Sequence, residues 1–595
     1  MIDTSVYRFG ATLAAAGATF RFFAPTARHV DLVVRDGAGE RTSALDAVAG
    51  GWFRGSDPAA HAGARYGFRI DGASTIVPDP ASRFQPEGVH GLSELLDPQQ
   101  LVSAYPSWRG RPWHEIVFYE LHIGTFTPGG TYAAAIERLD DLVALGVTAV
   151  ELMPLAQWPG ERNWGYDGVL PYAPAERYGR PEDLVRFIDA AHRCGLTVFL
   201  DVVYNHFGPE GNYLHAYAPA FFTERYQTPW GAAIDYSSDD VRAFFIENAH
   251  WWLEAYGFDG LRLDATQMIF DDRSPTVLEE LRDSVGARIP AGRHVHLVVE
   301  NDHNDVSLLR AGYDAQWNDD FHHTVHVLTT GEDGGYYADY AARPAWLLGR
   351  TLTAGYGYQG EPSPFRNGAP RGSRSDDQPL GKFVDFLQNH DQIGNRARGE
   401  RLTMLAPLEA VQAAAAITLL APSPPLLFMG EEWAAATPFL FFCDFEPELA
   451  RLVTEGRRRE FAGFPEFADP SARASIPDPS AAATFSRCIL NWDERTAEPH
   501  RTMLAHYREL LALRAAEIVP RIANVNPRAA TAIERGRGAL EATWSVDGGT
   551  LRLEANLAAA ACAGFAPAAP GRRLFGPAKF AQGVAPAWAV RWSIA

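Results

Sequence analysis

Cysteine is scarce. Four residues in a chain of 595, Cys194, Cys443, Cys488 and Cys562, lie far apart and form no CxxC pair, which implies neither a disulfide framework nor a zinc site. A reducing, cytoplasmic setting is expected. The opening MIDTSVYRFG lacks the basic start and apolar run of a secretory signal, and nowhere do about 18 apolar residues follow one another without a break. An unexported protein without a membrane span is therefore expected. Positive charge is also in deficit: Lys and Arg number 53 against 73 Asp and Glu, a formal net charge of -20 spread along the chain. This disfavours nucleic acid or an anionic membrane as partner and leaves a neutral ligand open.

What is present is enough for several domains, with 47% hydrophobic residues to fill their cores. Aromatic residues make up 12%, including 15 Trp, and suit a surface that stacks on sugar rings, although most should be core. Thr19 to Val34, TFRFFAPTARHVDLVV, alternates apolar and polar positions around an Ala-Pro break, as expected of paired strands joined by a turn. Short strands at Arg65 to Asp71 and Ser74 to Val77 complete a small β-domain, which a Pro-rich stretch from Tyr105 to Pro112 closes. We set this domain at residues 1–105.

From about Ile116 short apolar runs alternate with amphipathic helices, the texture of βα units around a parallel sheet. Strands are expected at Val117 to Ile123, Thr148 to Met153, Thr197 to Val203, Gly260 to Asp264, His296 to Glu300, Ala315 to Trp317, Phe383 to Gln388 and Pro425 to Met429. Eight such strands make a (β/α)8 barrel, placed at residues 106–517. Thr131 to Leu145 predicts one helix stopped by Gly146, Pro181 to Cys194 another stopped by Gly195, and Met503 to Arg514 the closing helix. Beyond it, residues 518–595 predict a small C-terminal antiparallel β-domain. The fold class is thus multidomain α/β, a central TIM barrel between two β-domains.

In such a barrel the chemistry sits where strands end. Strand three ends DVVYNH (Asp201, Asn205, His206), strand four LRLDA (Arg262, Asp264), strand five HLVVEND (Glu300, Asp302) and strand seven FLQNHD (His390, Asp391). Any one carboxylate after a strand is ordinarily a helix cap or a turn residue. Three strands delivering Asp264, Glu300 and Asp391 to one rim, with Arg262 two positions before Asp264, would be costly in charge desolvation unless used. Glycoside hydrolysis needs this set: an acid for the leaving oxygen and a carboxylate across the anomeric carbon. Arg262 would hold Asp264 ionised as a nucleophile, while Glu300 needs a raised pKa to act as acid. Asp201 and Asn205 are expected to brace Arg262 and a loop.

Other signals weigh less. Gly355, Gly357 and Gly360 in GYGYQG spell a dinucleotide fingerprint, but no strand precedes them and no helix opens after them. A flexible loop on the substrate side fits better. His322 and His326 have i, i+4 spacing but no third ligand on that face, so a sugar contact or packing is the reading. Tyr166 suits stacking under the reacting sugar; Trp164 and Trp230 are balanced between that and core.

The segments DVVYNH, GLRLDA, the strand-five Glu and NHD resemble, in order and in strand placement, the signature regions of the α-amylase family of glycoside hydrolases, family 13. The resemblance spans nearly the whole chain, since an N-terminal β-sandwich akin to a carbohydrate-binding module, a barrel and a C-terminal β-domain are that family's arrangement in its debranching and branching members. It implies Asp264 as nucleophile, Glu300 as general acid/base, Asp391 as transition-state stabiliser, and Tyr166, His206, Arg262 and His390 around the cleaved bond. Within the family, YELHIGTFTPGGTY, ELMPLAQWPGERNWGYDG, YNHFGPEGNYL, QWNDDFHH, QNHDQIGNRARGER and MGEEWAAATPFLFF are most similar to the trehalohydrolase subfamily. That likeness implies substrate contacts from Leu263, Ala265, Thr266 and Gln267, from a loop after strand six comprising Asp319, Asp320, Phe321, His322 and His323, and from Gln392, Ile393, Gly394 and Asn395. One departure is that Glu300 is followed by Asn301 and only then by Asp302.

The implied reaction is hydrolysis, with retention, of the α-1,4 bond next to the terminal trehalose of maltooligosyl-trehalose. No metal or organic cofactor is implied, and the synthase that makes this substrate is the functional partner. A calcium site at Asn205, used by some relatives, would need further oxygen ligands. The alternative is an α-1,4-glucan branching enzyme, which shares barrel and triad and differs in whether a glucan hydroxyl outcompetes water. Retention of all three carboxylates argues against a non-catalytic glucan-binding barrel, and the missing phosphate-cradling loop against nucleotide-dependent sugar transfer.

Overall fold

The computed structural model describes residues 6–595 apart from 15, 464, 524 and 526. Met1 to Ser5, half of the segment read for export, lie outside the described residues.

All eight apolar runs become strands: β1 (Phe118–Leu121), β2 (Ala149–Leu152), β3 (Thr197–Val202), β4 (Gly260–Leu263), β5 (His296–Val299), β6 (Ala315–Trp317), β7 (Phe383–Phe386) and β8 (Pro425–Phe428). They pair in that order and close into a barrel, and each pairing is parallel. The runs are apolar on both faces because one face packs against the surrounding helices and the other against the barrel interior. Phe118, Ala149, Phe199, Val298, Phe386 and Leu426 fill the lower interior. Two residues further along, at positions of the same inward parity, the interior turns polar with Glu120, Glu151, Asp201 and Arg262. That change of character marks the floor of the mouth.

The helix between β2 and β3, Pro181–Arg193, begins on Pro181, carries Glu182 and Asp183 in its first turn and stops before Gly195 at φ +79°. The predicted helix Thr131 to Leu145 is two helices, Tyr132–Ile136 and Leu139–Leu145, broken at Glu137 and Arg138. At the break Arg138 lies over the ring of Trp492, a contact that local periodicity does not encode. The closing helix spans His500–Leu513.

The N-terminal β-sandwich corrects a second expectation. Gly17–Phe23 and Val30–Asp36 are strands, but they do not pair with each other. The first pairs with Trp52–Asp57 and the second with Arg65–Ile70, in opposite sheets. The Ala24-Pro25 break therefore crosses between layers, and the apolar faces meet where Phe22 stacks on Phe68 at 4.0 Å. This module docks on the barrel through Phe9 against Phe244 and Arg83 over Trp251. At the other end a five-stranded antiparallel sheet, Ala530–Gly536 to Ala589–Ile594, anchors by Trp544 and Trp592, whose indole N–H groups donate to the carbonyls of Leu352 and Ala416.

The GYGYQG run is a loop, and its first residues pack against β7. Tyr356 is fully buried, and Gly355, at φ +89°, has the Phe383 ring 2.3 Å from where a Cβ would sit. Among the described residues no helix is long and apolar enough to cross a membrane.

Candidate active site

Arg262, wholly buried in β4, organises the mouth. Its guanidinium lies 4.1 Å from the Trp317 ring centroid. One terminal nitrogen donates to Asp201 at 2.7 Å and to Asp264 at 2.9 Å, and the other lies 2.7 Å from Glu300. Strands β3, β4 and β5 thus deliver three carboxyls to one planar cation, whose fork fits carboxylate geometry. The nearest oxygens of Asp264 and Glu300 cannot be further apart than the width of that guanidinium plus the two contacts of 2.9 and 2.7 Å. This is compatible with the separation of about 5 to 5.5 Å that a retaining pair requires.

The environments of the acids differ. Burial pushes the Glu300 carboxyl up; Arg262 opposes this and Asp264 adds to it. Its Oε2 accepts the backbone N–H of Ala265 at 2.9 Å, which a turn with Ala265 at φ +40° presents, and Thr266 donates to the Glu300 carbonyl. A non-glycine residue in that region is strained, and here the strain aims an N–H at the acid. Burial also pushes Asp201 up, to about 7, against the pull of Arg262. Asp264 accepts from Asn205 Nδ2 at 2.7 Å. Asn205 therefore touches the Asp264 carboxylate itself and does more than brace a loop, whereas Asp201 sits on Arg262 as expected.

Tyr166 donates to Asp201 at 2.6 Å and stacks on His390 at 5.0 Å. His206 contacts the Tyr166 carbonyl through Nε2 at 3.0 Å and stacks on the exposed Trp230 at 4.0 Å; burial lowers its pKa to about 4, so it is neutral. His390 Nε2 lies 3.5 Å from Asp391, and Asn395 donates to Asp391 at 3.0 Å. Trp164 packs in the core, edge-on to His390. Gly394 is dictated by this packing, because a Cβ there would lie 2.1 Å from the Trp164 ring.

Several residues expected to contact a sugar do not face the mouth. Leu263, Phe321 and Ile393 belong to the hydrophobic core. The segment Asp319 to His323 is not a loop but the first turns of helix Asp319–Thr330. Asp320 is fully buried, accepts from Asn304 at 2.9 Å and the Tyr358 N–H at 2.8 Å, and pairs with Arg371 at 3.0 Å. His322 is spent on the Leu387 carbonyl, His326 on Glu332, and burial lowers both pKa values. Of this group Asp319 stays at the rim: burial, then Glu300, pushes it up to about 8, and Gln392 donates to it at 3.4 Å. His323 is buried beside Tyr336. Gln267 is half-buried nearby. Among the described residues no three His, Cys, Asp or Glu are grouped to hold a metal ion.

Sequence reasoning passed over Glu120 and Glu151, although a Glu inside VFYEL and AVEL is itself a signal. It also passed over the exposed rings of Tyr336 and Phe365, 6.1 Å apart. Asp302 is held by Arg366 at 2.9 Å. Arg371 ties the segment after GYGYQG to the helix of Asp319. Replacing it (Arg371→Met) leaves the Asp320 charge buried and unpaired and is expected to destabilise the protein by about 3 kcal/mol in urea unfolding. A change below about 1 kcal/mol would show that this ion pair is not the tie.

The chain matches the alpha amylase catalytic domain over residues 117–227, carbohydrate-binding module 48 (isoamylase N-terminal domain) over 8–84, and a domain of unknown function over 527–592. It is 46% identical over 511 residues to a malto-oligosyltrehalose trehalohydrolase from Deinococcus radiodurans, covering 85% of this chain and 83% of that one. A solved Salmonella typhimurium protein described as an alpha amylase superposes with a TM-score of 0.93 at 43% identity, over 99% of this chain and 100% of that one. A 1,4-alpha-glucan branching enzyme from Bacillus caldolyticus is 30% identical over 347 residues, 51% of either chain.

Proposed function

The chain belongs to the malto-oligosyltrehalose trehalohydrolases, within the α-amylase glycoside hydrolases, and from that premise we propose how its barrel mouth works. The protein hydrolyses the α-1,4 bond next to the terminal trehalose of maltooligosyl-trehalose and releases trehalose and a maltooligosaccharide. The observation that carries the residue assignment is the single guanidinium of Arg262 holding Asp264 and Glu300 side by side.

The carboxylate of Asp264, held in place by Arg262 and Asn205, attacks the anomeric carbon. As the bond to the trehalose oxygen breaks, Glu300 gives that oxygen its proton. Glu300, now a carboxylate, takes a proton from water, and the water oxygen attacks the same carbon, breaking the ester and freeing Asp264. Two inversions give net retention. Asp391 and His390 grip the ring hydroxyls where charge develops. Tyr166 lies under the reacting sugar, and the exposed rings of Trp230, Tyr336 and Phe365 offer faces for neighbouring sugar rings. Asp319, Gln267, Gln392 and Asn395 supply polar groups at the rim.

Because Glu300 must be protonated and burial raises its pKa, kcat/KM with maltooligosyl-trehalose should fall as pH rises through the Glu300 pKa, at a higher pH than an ordinary carboxyl group would give. A flat alkaline side would remove Glu300 as the acid.

We place the joints between modules near residues 105 and 517, and the enzyme's work in the cytoplasm, where four free thiols are at home. Its substrate is expected from maltooligosyl-trehalose synthase, as in the family. The test is product analysis on maltotriosyl-trehalose. Trehalose and maltotriose should appear in equal amounts, and new branch points on amylose without trehalose release would overturn the reading.

A further inference from the structure

Under the mouth, the barrel floor carries two glutamates that the reaction above does not use. Glu120 in β1 and Glu151 in β2 are partners in register, both buried. Glu120 spends its whole carboxylate on one residue: Oε2 accepts the backbone N–H of His390 at 3.1 Å, and Oε1 meets the ring Nδ1. With Nδ1 committed to an anion below, Nε2 is left facing Asp391 above. The histidine thus lies between two carboxylates at opposite ring nitrogens, an arrangement that favours a proton on each.

We propose that Glu120 is a positioning residue for catalysis: it fixes the His390 ring and keeps it an imidazolium, so that Nε2–H is a cationic donor toward Asp391 and the reacting sugar. This rests on the hydrolase reading, and it assigns a role to a carboxylate that never meets the substrate. The groups around the ring agree. Asp391 precedes Glu120 in its pull, and together they overcome burial and Arg262 to bring His390 up to about 9. Both oxygens of Glu151 are buried and take no hydrogen bond from the described residues; burial, then Glu120 and Asp201, pushes that carboxyl well above the usual carboxylate range. Of the two glutamates, Glu120 is the one whose carboxyl group is in direct contact with His390 Nδ1. His122, whose pKa burial lowers to about 4, is neutral and adds no competing charge. The remaining ionisable neighbours are Asp201 and Glu300, both pushed up by burial, Arg262, and Tyr166, which stacks on the ring.

The test uses an activated aryl α-maltotrioside, whose leaving group departs without a proton, so that Glu300 no longer sets the alkaline limb of kcat/KM. In the intact protein that limb should lie near pH 9, where His390 loses its charge. Glu120→Gln keeps the shape and removes the anion, and should move the limb at least one pH unit lower, a loss of about tenfold at pH 9. A limb at its original pH would overturn the proposal, since a merely structural role changes rates without moving a titration. Independently of how that variant folds, nitrogen-15 histidine spectra of the unmodified protein at pH 7 should show both His390 nitrogens protonated, with His390→Gln assigning the signal. A neutral His390 ring would equally overturn it. The spectra need no turnover, so failure of the hydrolase reading and failure of this one are distinguishable.

Discussion

Asp264→Ala is expected to lower kcat/KM on maltotriosyl-trehalose by about 10⁴-fold or more, because removing a nucleophile removes the covalent path itself. The fold should survive. Arg262 keeps Asp201 and Glu300 as partners, so the change leaves no bare buried cation, and Asn205 retains the backbone carbonyl of residue 264. Urea unfolding of the variant should therefore stay close to that of the unmodified protein. The vacated space beside the anomeric carbon also makes a positive prediction. Azide with an activated α-glycosyl donor should restore turnover and give the β-glycosyl azide, since the small anion attacks from the side where Asp264 stood. Turnover within tenfold of the unmodified protein would remove Asp264 as nucleophile.

Glu300→Gln is expected to cost about 10³-fold with trehalose as leaving group and much less with an activated aryl glycoside in the first step, since general acid catalysis is worth about 10² to 10⁴ and matters most for poor leaving groups. The amide can still accept the Ala265 N–H that now reaches Oε2, so the turn after β4 should hold. The second step stays slow on either substrate, because the base that activates water is gone. Burst kinetics on the aryl substrate would read this. Equal losses on both substrates, with no burst, would contradict an acid/base role.

The barrel could be read from the chain because each strand is a short apolar run whose signal is local, and because a parallel barrel puts polar strand ends on one rim. Arg262, Asp264 and Glu300 followed from that rule. What could not be read depends on contacts distant in sequence. Glu120 meets His390 across 270 residues, and nothing near either one announces the other. The strands on either side of Ala24-Pro25 have the right period, yet period does not specify the partner strand. Within Asp319 to His323, spacing could not tell Asp319 at the rim from Asp320 turned inward to Arg371, because burial on one helix turn is decided by what packs there. Asn205 looked like a brace and touches Asp264, a matter of one side chain's reach.

The most direct measurement is to trap the covalent intermediate with a 5-fluoro-α-maltosyl fluoride, which slows breakdown of the ester, and to find the labelled peptide by mass spectrometry. The sugar should be attached to Asp264. Attachment to Glu300, Asp319 or Asp391, or steady hydrolysis with inverted configuration and no adduct, would contradict the mechanism.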